Sequence, residues 1–181
     1  MKRTLAYRVA LTGMLFALAI VLSVAESMLA PVFGLPPGVK LGLANVVVMY
    51  ALFFSTRWQA LALVLLKAGF GVLSRGLVAG LLSLCGGLLS LLVMVLLMLP
   101  KRPPSVLILS VAGALGHNLG QVLVVWLMYG AGAVYYIPVL VVAALVSGVL
   151  TALTLRVLMP ALARTRPAEK DAHAHTKGPK G

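Results

Sequence analysis

Residues 26–45, ESMLAPVFGLPPGVKLGLAN, interrupt a chain that is otherwise strongly apolar. The stretch holds Glu26, the only acidic residue before position 169, together with Lys40, Asn45 and the helix-breaking Pro31, Pro36 and Pro37. A charged side chain costs roughly 2.5–3.5 kcal/mol at the centre of a bilayer on insertion scales. A carboxylate, an ammonium and an amide so close together therefore mark a place where the chain leaves hydrocarbon. On both sides of it lie apolar runs long enough to cross a membrane. The stretch reads as a cap over a ligand pocket at one face of a membrane.

Composition fixes the class. Of 181 residues 62% are hydrophobic and 10% charged, with a mean hydropathy of +1.11, too little polar surface for a soluble domain of this size. The expected organisation is all-α: one membrane domain over residues 1–163 and a disordered, basic cytoplasmic tail over 164–181. The net charge of +12 does not point to nucleic acid, because the basic residues fall in short gaps between apolar runs, the pattern that orients membrane proteins. Cys85 is alone and reads as a small core residue. Lys2-Arg3 before an apolar run imitates a signal peptide, with Ser23-Val24-Ala25 as a small-residue cleavage site. The run is longer than a usual signal core and more spans follow, so it is taken as the first span.

Six spans are expected at about ~20 residues each, with ~17 as the lower limit. They run from Thr4 to Ala25, from Pro37 or Val39 to Ser55, from Trp58 to Leu73, from Gly76 to Leu99, from Ser105 to Met128 and from Ile137 to Met159. Pro36-Pro37 suits a helix start, where a missing N–H costs least. Pro100-Lys101-Arg102-Pro103-Pro104 is a clear break. An even number of spans puts both termini on one side, with Lys2, Arg3, Arg8, Arg57, Lys101, Arg102, Arg156, Arg164, Arg166, Lys170, Lys177 and Lys180; only Lys40, Lys67 and Arg75 remain elsewhere. The positive-inside rule makes that side cytoplasmic in a multi-pass protein of the plasma (inner) membrane, and the Glu26–Lys40 segment faces outward.

Lys67 falls near the middle of the third span and needs a carboxylate, a carbonyl or water. Glu26 is the available carboxylate, so Glu26 and Lys67 form either a structural ion pair or part of a ligand site. Glu26 pairing with Lys40 is equally open. His117 and Gln121 share a helix face at i, i+4, with Asn118 adjacent; they either contact a ligand or hydrogen-bond neighbouring helices. Lys40 and Arg75 would make an outward positive mouth suited to an anionic small molecule, though Arg75 equally suits a lipid headgroup anchor. Ala6/Ala10 and Gly13/Ala17 have small-xxx-small spacing, which serves either partner docking or packing within the bundle. The candidate substrate-binding set is Lys40, Asn45, Arg75, His117, Asn118, Gln121 and Glu26.

Several chemistries find no residues to carry them. There is no Walker-type glycine loop for ATP, no pair of acids in the bundle for acid–base work or Mg²⁺-diphosphate binding, and no serine in a nucleophile elbow. One histidine lies in the bundle, without cysteine or acid at ligand spacing, so neither a metal nor another cofactor is expected.

Three segments in order carry a family resemblance: PPGVKLGLAN at Pro36–Asn45, SLCGGLLS at Ser83–Ser90 with Met94, and GALGHNLGQ at Gly113–Gln121. They resemble the Gx transporter family, labelled heptaprenyl diphosphate synthase component I, over roughly residues 5 to 160. The family in turn is similar to substrate-binding S components of energy-coupling factor (ECF) transporters. The resemblance implies a six-helix bundle that binds a small molecule from outside, beside a membrane coupling protein and ATPase subunits. It also implies docking through small residues of the first helix, which Ala6, Ala10, Gly13 and Ala17 match in kind. The enzyme label fits poorly, since prenyl synthases hold Mg²⁺-diphosphate with aspartate-rich motifs and the first aspartate here is Asp171. A non-catalytic membrane accessory of isoprenoid, heptaprenyl diphosphate or quinone synthesis is the alternative.

Overall fold

The computed structural model describes residues 5–33, 44–100, 104–130, 132, 135 and 137–164. Among them are six α-helices and no strand: α1 (Leu5–Leu29), α2 (Asn45–Phe54), α3 (Arg57–Arg75), α4 (Leu77–Leu97), α5 (Val106–Tyr129) and α6 (Ile137–Arg164), with a 3-10 turn over Ala30–Phe33 after α1. Four helices are long and apolar enough to cross a membrane: Leu5–Leu29, Leu77–Leu97, Val106–Tyr129 and Ile137–Arg156. The protein is an all-helical membrane protein.

The other two of the six expected helices differ from these four. The described part of α2 has 10 residues, a rise of about 15 Å, or half a bilayer core. Its expected start at Pro37 or Val39 lies outside the described residues, as do Lys40 and positions 165–181. α3 has the length, 19 residues, but Arg57, Gln59, Lys67 and Arg75 lower its hydropathy. It is amphipathic, burying Ala60, Leu63, Val64, Lys67, Ala68 and Gly71 along one stripe.

Helix ends follow local chemistry. Thr56 caps α3 by accepting from the Gln59 N–H at 3.2 Å, and Ser105 caps α5 by accepting from the Ile108 N–H at 3.3 Å. A single residue, Gly76, separates α3 from α4 at φ 89°, a left-handed conformation that costs glycine little. α1 runs past the expected end at Ala25 to Leu29, because nothing in Glu26-Ser27-Met28-Leu29 breaks a helix before the Pro31 boundary. Glu26 therefore belongs to a helix and not to the capping segment. α6 likewise continues beyond Met159 to Arg164.

Contacts fix the directions. Gln59 Nε2 donates to Arg8 O (3.2 Å) and Thr12 Oγ1 (3.1 Å) near one end of α3, and Arg75 Nη1 donates to Ser27 Oγ (3.2 Å) at the other, so α1 and α3 run parallel. α2 turns into α3 through Ser55 and Thr56 alone and opposes both. α4 packs between α3 and α5, and α6 packs on α5. Val64 meets Gly87 and Gly71 meets Gly80, while Gly113 meets Met94, Gly116 meets Leu89–Ser90 and Gly120 meets Cys85–Gly86. At Gly71, Gly116 and Gly120 backbones touch: a Cβ on Gly120 would lie 2.5 Å from the Cys85 carbonyl oxygen. The main apolar core, with Val47, Val48, Met49, Leu63, Val64, Met94, Leu109 and Leu155, lies around α2.

Candidate functional site

Inside this apolar frame the buried polar side chains are Ser23, Glu26, Asn45, Lys67, Ser83, Ser90, Ser110, His117, Asn118, Gln121, Ser147 and Thr151. The contact registers place them along the bundle axis. Lys67 lies between the Val64–Gly87 and Gly71–Gly80 contacts, level with Leu84 of α4, and the Gly120–Cys85 contact brings Gln121 of α5 to the same level. Asn45 bonds Ser90, six residues further along α4 than Leu84, so it sits about 9 Å further from the Arg75 end.

The charged group joins α1 and α3. Glu26 is 1% exposed and Lys67 4% exposed. The Glu26 carboxylate interacts electrostatically with both Lys67 and Arg75. Arg75 is exposed at the end of α3 and is tied to α1 through Ser27. Of the two pairings open in the sequence, the one between Glu26 and Lys67 falls within the described residues, and the one with Lys40 falls outside them.

On α5, His117 Nε2 and Gln121 Nε2 are 2.9 Å apart. The ring rests on bare α4 backbone, since a Cβ on Gly86 would lie 2.8 Å from His117 Cε1 and Nδ1. Asn118, one residue on, points elsewhere: its Nδ2 donates to Leu140 O of α6 at 2.6 Å. A carbonyl only accepts, so this bond fixes the amide and leaves Oδ1 without a hydrogen-bond partner. The structure brings His117 and Gln121 together and assigns Asn118 to the α5–α6 seam, at the edge of a small apolar groove with Leu115, Leu119, Val122, Ile137 and Val141.

Asn45, the first residue of α2, donates from Nδ2 to Ser90 Oγ at 2.6 Å, and its Oδ1 has no partner; nor has Ser147 Oγ. Ala44, preceding it, offers α2 no side-chain cap. A buried polar atom without a partner costs about 1–3 kcal/mol, a cost that falls here on Asn45 Oδ1, Asn118 Oδ1 and Ser147 Oγ. Among the described residues no group of three or more His, Cys, Asp or Glu is placed to hold a metal ion.

On the outside of α1, Ala6, Ala10, Gly13 and Ala17 are all exposed. Gly13 lines an open groove of about 430 Å³ with Leu5, Arg8, Val9, Thr12, Gln59 and Leu66. Among the described residues, a Cβ at Gly13 would meet nothing within 4 Å. Sequence reasoning had singled out none of the buried hydroxyls as site residues, although Ser147 and Thr151 recur at i, i+4 and share a helix face.

The family model described as heptaprenyl diphosphate synthase component I matches residues 15–158. No curated protein and no solved structure matches the chain.

Proposed function

The chain belongs to the heptaprenyl diphosphate synthase component I family, and on that premise we propose that it is the substrate-capturing membrane subunit of an uptake transporter of the energy-coupling factor type. The observation that carries the reading is the set of buried polar side chains Glu26, Lys67, His117, Gln121 and Asn45, inside a bundle in which four helices are long and apolar enough to cross a membrane. Ionisable groups at such positions mark binding or transport paths by default. Both termini lie in the cytoplasm of the inner membrane, by the distribution of basic residues. The Arg75 end then faces out and receives the substrate, with Lys40 and Arg75 at the mouth, Asn45, His117 and Gln121 inside, and Asn118 on the α6 side.

The exposed Ala6, Ala10, Gly13 and Ala17 face supports docking to a membrane coupling protein, which in turn works with ATPase subunits. This chain performs no catalysis in the scheme. Affinity purification of the tagged full chain from its native membrane tests it: a coupling protein and ATPases are expected to copurify, and mass spectrometry is expected to find a retained small molecule. Reproducible absence of both sinks the proposal.

A second reading is favoured by the family's name itself, which makes the chain one component of a heptaprenyl diphosphate synthase. In it the protein is a membrane accessory that holds a prenyl diphosphate without transforming it. Retention of such a diphosphate by the purified chain, lost in the Lys40→Ala, Arg75→Ala double variant, would select this reading over transport.

A further inference from the structure

We propose that the groove between α5 and α6 is a binding site for a neutral, membrane-dissolved molecule with an apolar body and one hydroxyl, which donates to Asn118 Oδ1. The inference goes beyond the substrate-capture reading and does not depend on it.

The groove holds about 60 Å³ between Leu115, Leu119 and Val122 of α5 and Ile137 and Val141 of α6, with Asn118 as its polar residue. Asn118 Nδ2 donates to Leu140 O at 2.6 Å. Because a carbonyl accepts and cannot donate, that bond fixes which way the amide faces. Oδ1 is left as the acceptor: Asn118 is 3% exposed, and this oxygen has no hydrogen-bond partner among the described residues. Nearby donors are engaged or distant. Gln121 Nε2 is turned to His117 at 2.9 Å, and Ser110 Oγ donates to Gly148 O at 2.7 Å. Ser147 lies two turns along α6 from Leu140, about 10 Å away. A molecule that satisfies Oδ1 therefore brings its own donor.

Depth and space decide what kind of molecule that is. α5 runs from Val106 to Tyr129, which puts Asn118 about 17 Å from either end, near the middle of a hydrocarbon core of about 30 Å. Phospholipid headgroups carry their donors at the interface and do not reach it. A charged group is strongly disfavoured at that depth. Water is a poor occupant, because a buried water needs two to four polar partners and the lining supplies one polar side chain. An alcohol or phenol places its single O–H on Oδ1 and its carbons against the apolar walls. One water occupies about 10–15 Å³ in the same measure, so the groove admits the hydroxyl and the first few carbons of such a molecule. The remainder lies among lipid, past Leu119 and Val141, which are 62% and 42% exposed. Oδ1 lies beneath this rim, and both rim side chains can change rotamer without disturbing the packed face of either helix.

The test is photolabelling of the purified full chain in lipid nanodiscs with a trifluoromethyl-diazirinyl benzyl alcohol and with its methyl ether, which has the same body and no donor. Mass spectrometry locates the inserted carbene. The alcohol is expected to label the groove, at Leu115, Leu119 or Val141, and to saturate as its ratio to lipid rises; the ether is expected to label it in simple proportion. Asn118→Leu is expected to weaken the apparent affinity for the alcohol roughly three- to twentyfold, the range set by hydrogen bonds between membrane helices, and to leave the ether unchanged. Should Asn118→Leu fail to fold, Val141→Trp keeps Asn118 and fills the groove from an exposed position, and the saturable labelling is expected to disappear. Saturable labelling by the ether as strong as by the alcohol, an affinity unmoved by Asn118→Leu or Val141→Trp, or no saturable labelling of α5 and α6 in the native chain overturns the proposal. Each of these outcomes leaves the copurification of a coupling protein, and with it substrate capture, standing.

Discussion

Where α4, α5 and α6 meet, helices touch backbone to backbone; where α1 meets α3, they are linked by long polar side chains. In the first region Gly86, Gly116, Gly120 and Gly148 bring main chains together, and Ser110 Oγ donates to Gly148 O at 2.7 Å. In the second, Gln59 holds Arg8 and Thr12 at one end and Arg75 holds Ser27 at the other, with Glu26 and Lys67 buried near the latter. Close-packed glycine contacts tolerate no displacement, since dispersion falls steeply with distance. Charged and amide side chains can exchange partners with little backbone motion. The comparison makes the glycine-seamed half the fixed part of the bundle and the α1–α3 half the part whose contacts can exchange.

The sharpest way to break this comparison is to strand a charge. Glu26→Leu leaves Lys67 buried beside Arg75 without a carboxylate and should cost about 3–5 kcal/mol, the usual penalty for breaking a buried pair from one side. Adding Lys67→Met should recover most of it, because an apolar pair of similar volume replaces an ionic one. Thermal unfolding in nanodiscs reads both; equal stability of the single and double variants would show that the two residues are not coupled. On the scaffold side, Gly120→Ala places a methyl 2.5 Å from Cys85 O and should cost about 1–3 kcal/mol. No second-site change on α1 or α3 should relieve it. Gly86→Ala should cost a similar amount and also unseat His117, since its Cβ falls 2.8 Å from the ring. Asn118→Leu should cost less, about 0.6 kcal/mol, the average for a hydrogen bond between membrane helices.

Much of the scaffold was legible in the sequence. Apolar runs, the Ser55–Arg57 link and the Pro100–Pro104 break located six helices, and Lys67 was correctly read as internal to the third. What was not legible has physical causes. Glu26 was assigned to a loop because a carboxylate after an apolar run looks like an exit from the bilayer, yet the helix ends where proline ends it, one turn later. His117 and Asn118 were grouped by adjacency, but one residue turns a helix by about 100°, enough to send His117 onto α4 and Asn118 onto α6. The hydroxyls of Ser147 and Thr151 escaped notice because helical serines and threonines so often bond their own backbone. Small-xxx-small spacing says that a neighbour can come close but not whether that neighbour is in the same chain.

That last point gives the smallest expected effect on stability and a large one on assembly. An ideal Cβ at Gly13 meets nothing within 4 Å, and Ala10 is exposed on the same helix. Enlarging them removes no contact within the chain, so Ala10→Leu with Gly13→Leu should change stability by no more than about 0.5 kcal/mol. Retention of a small molecule by the purified chain should be untouched as well. A coupling protein that approaches this face through the small residues would be held off by two isobutyl groups, and its copurification should fall sharply. If unfolding shifts instead, the face packs within the bundle. If neither stability nor copurification moves, the partner docks elsewhere, and the contrast between a fixed α4–α6 scaffold and a working α1–α3 half loses its outward side.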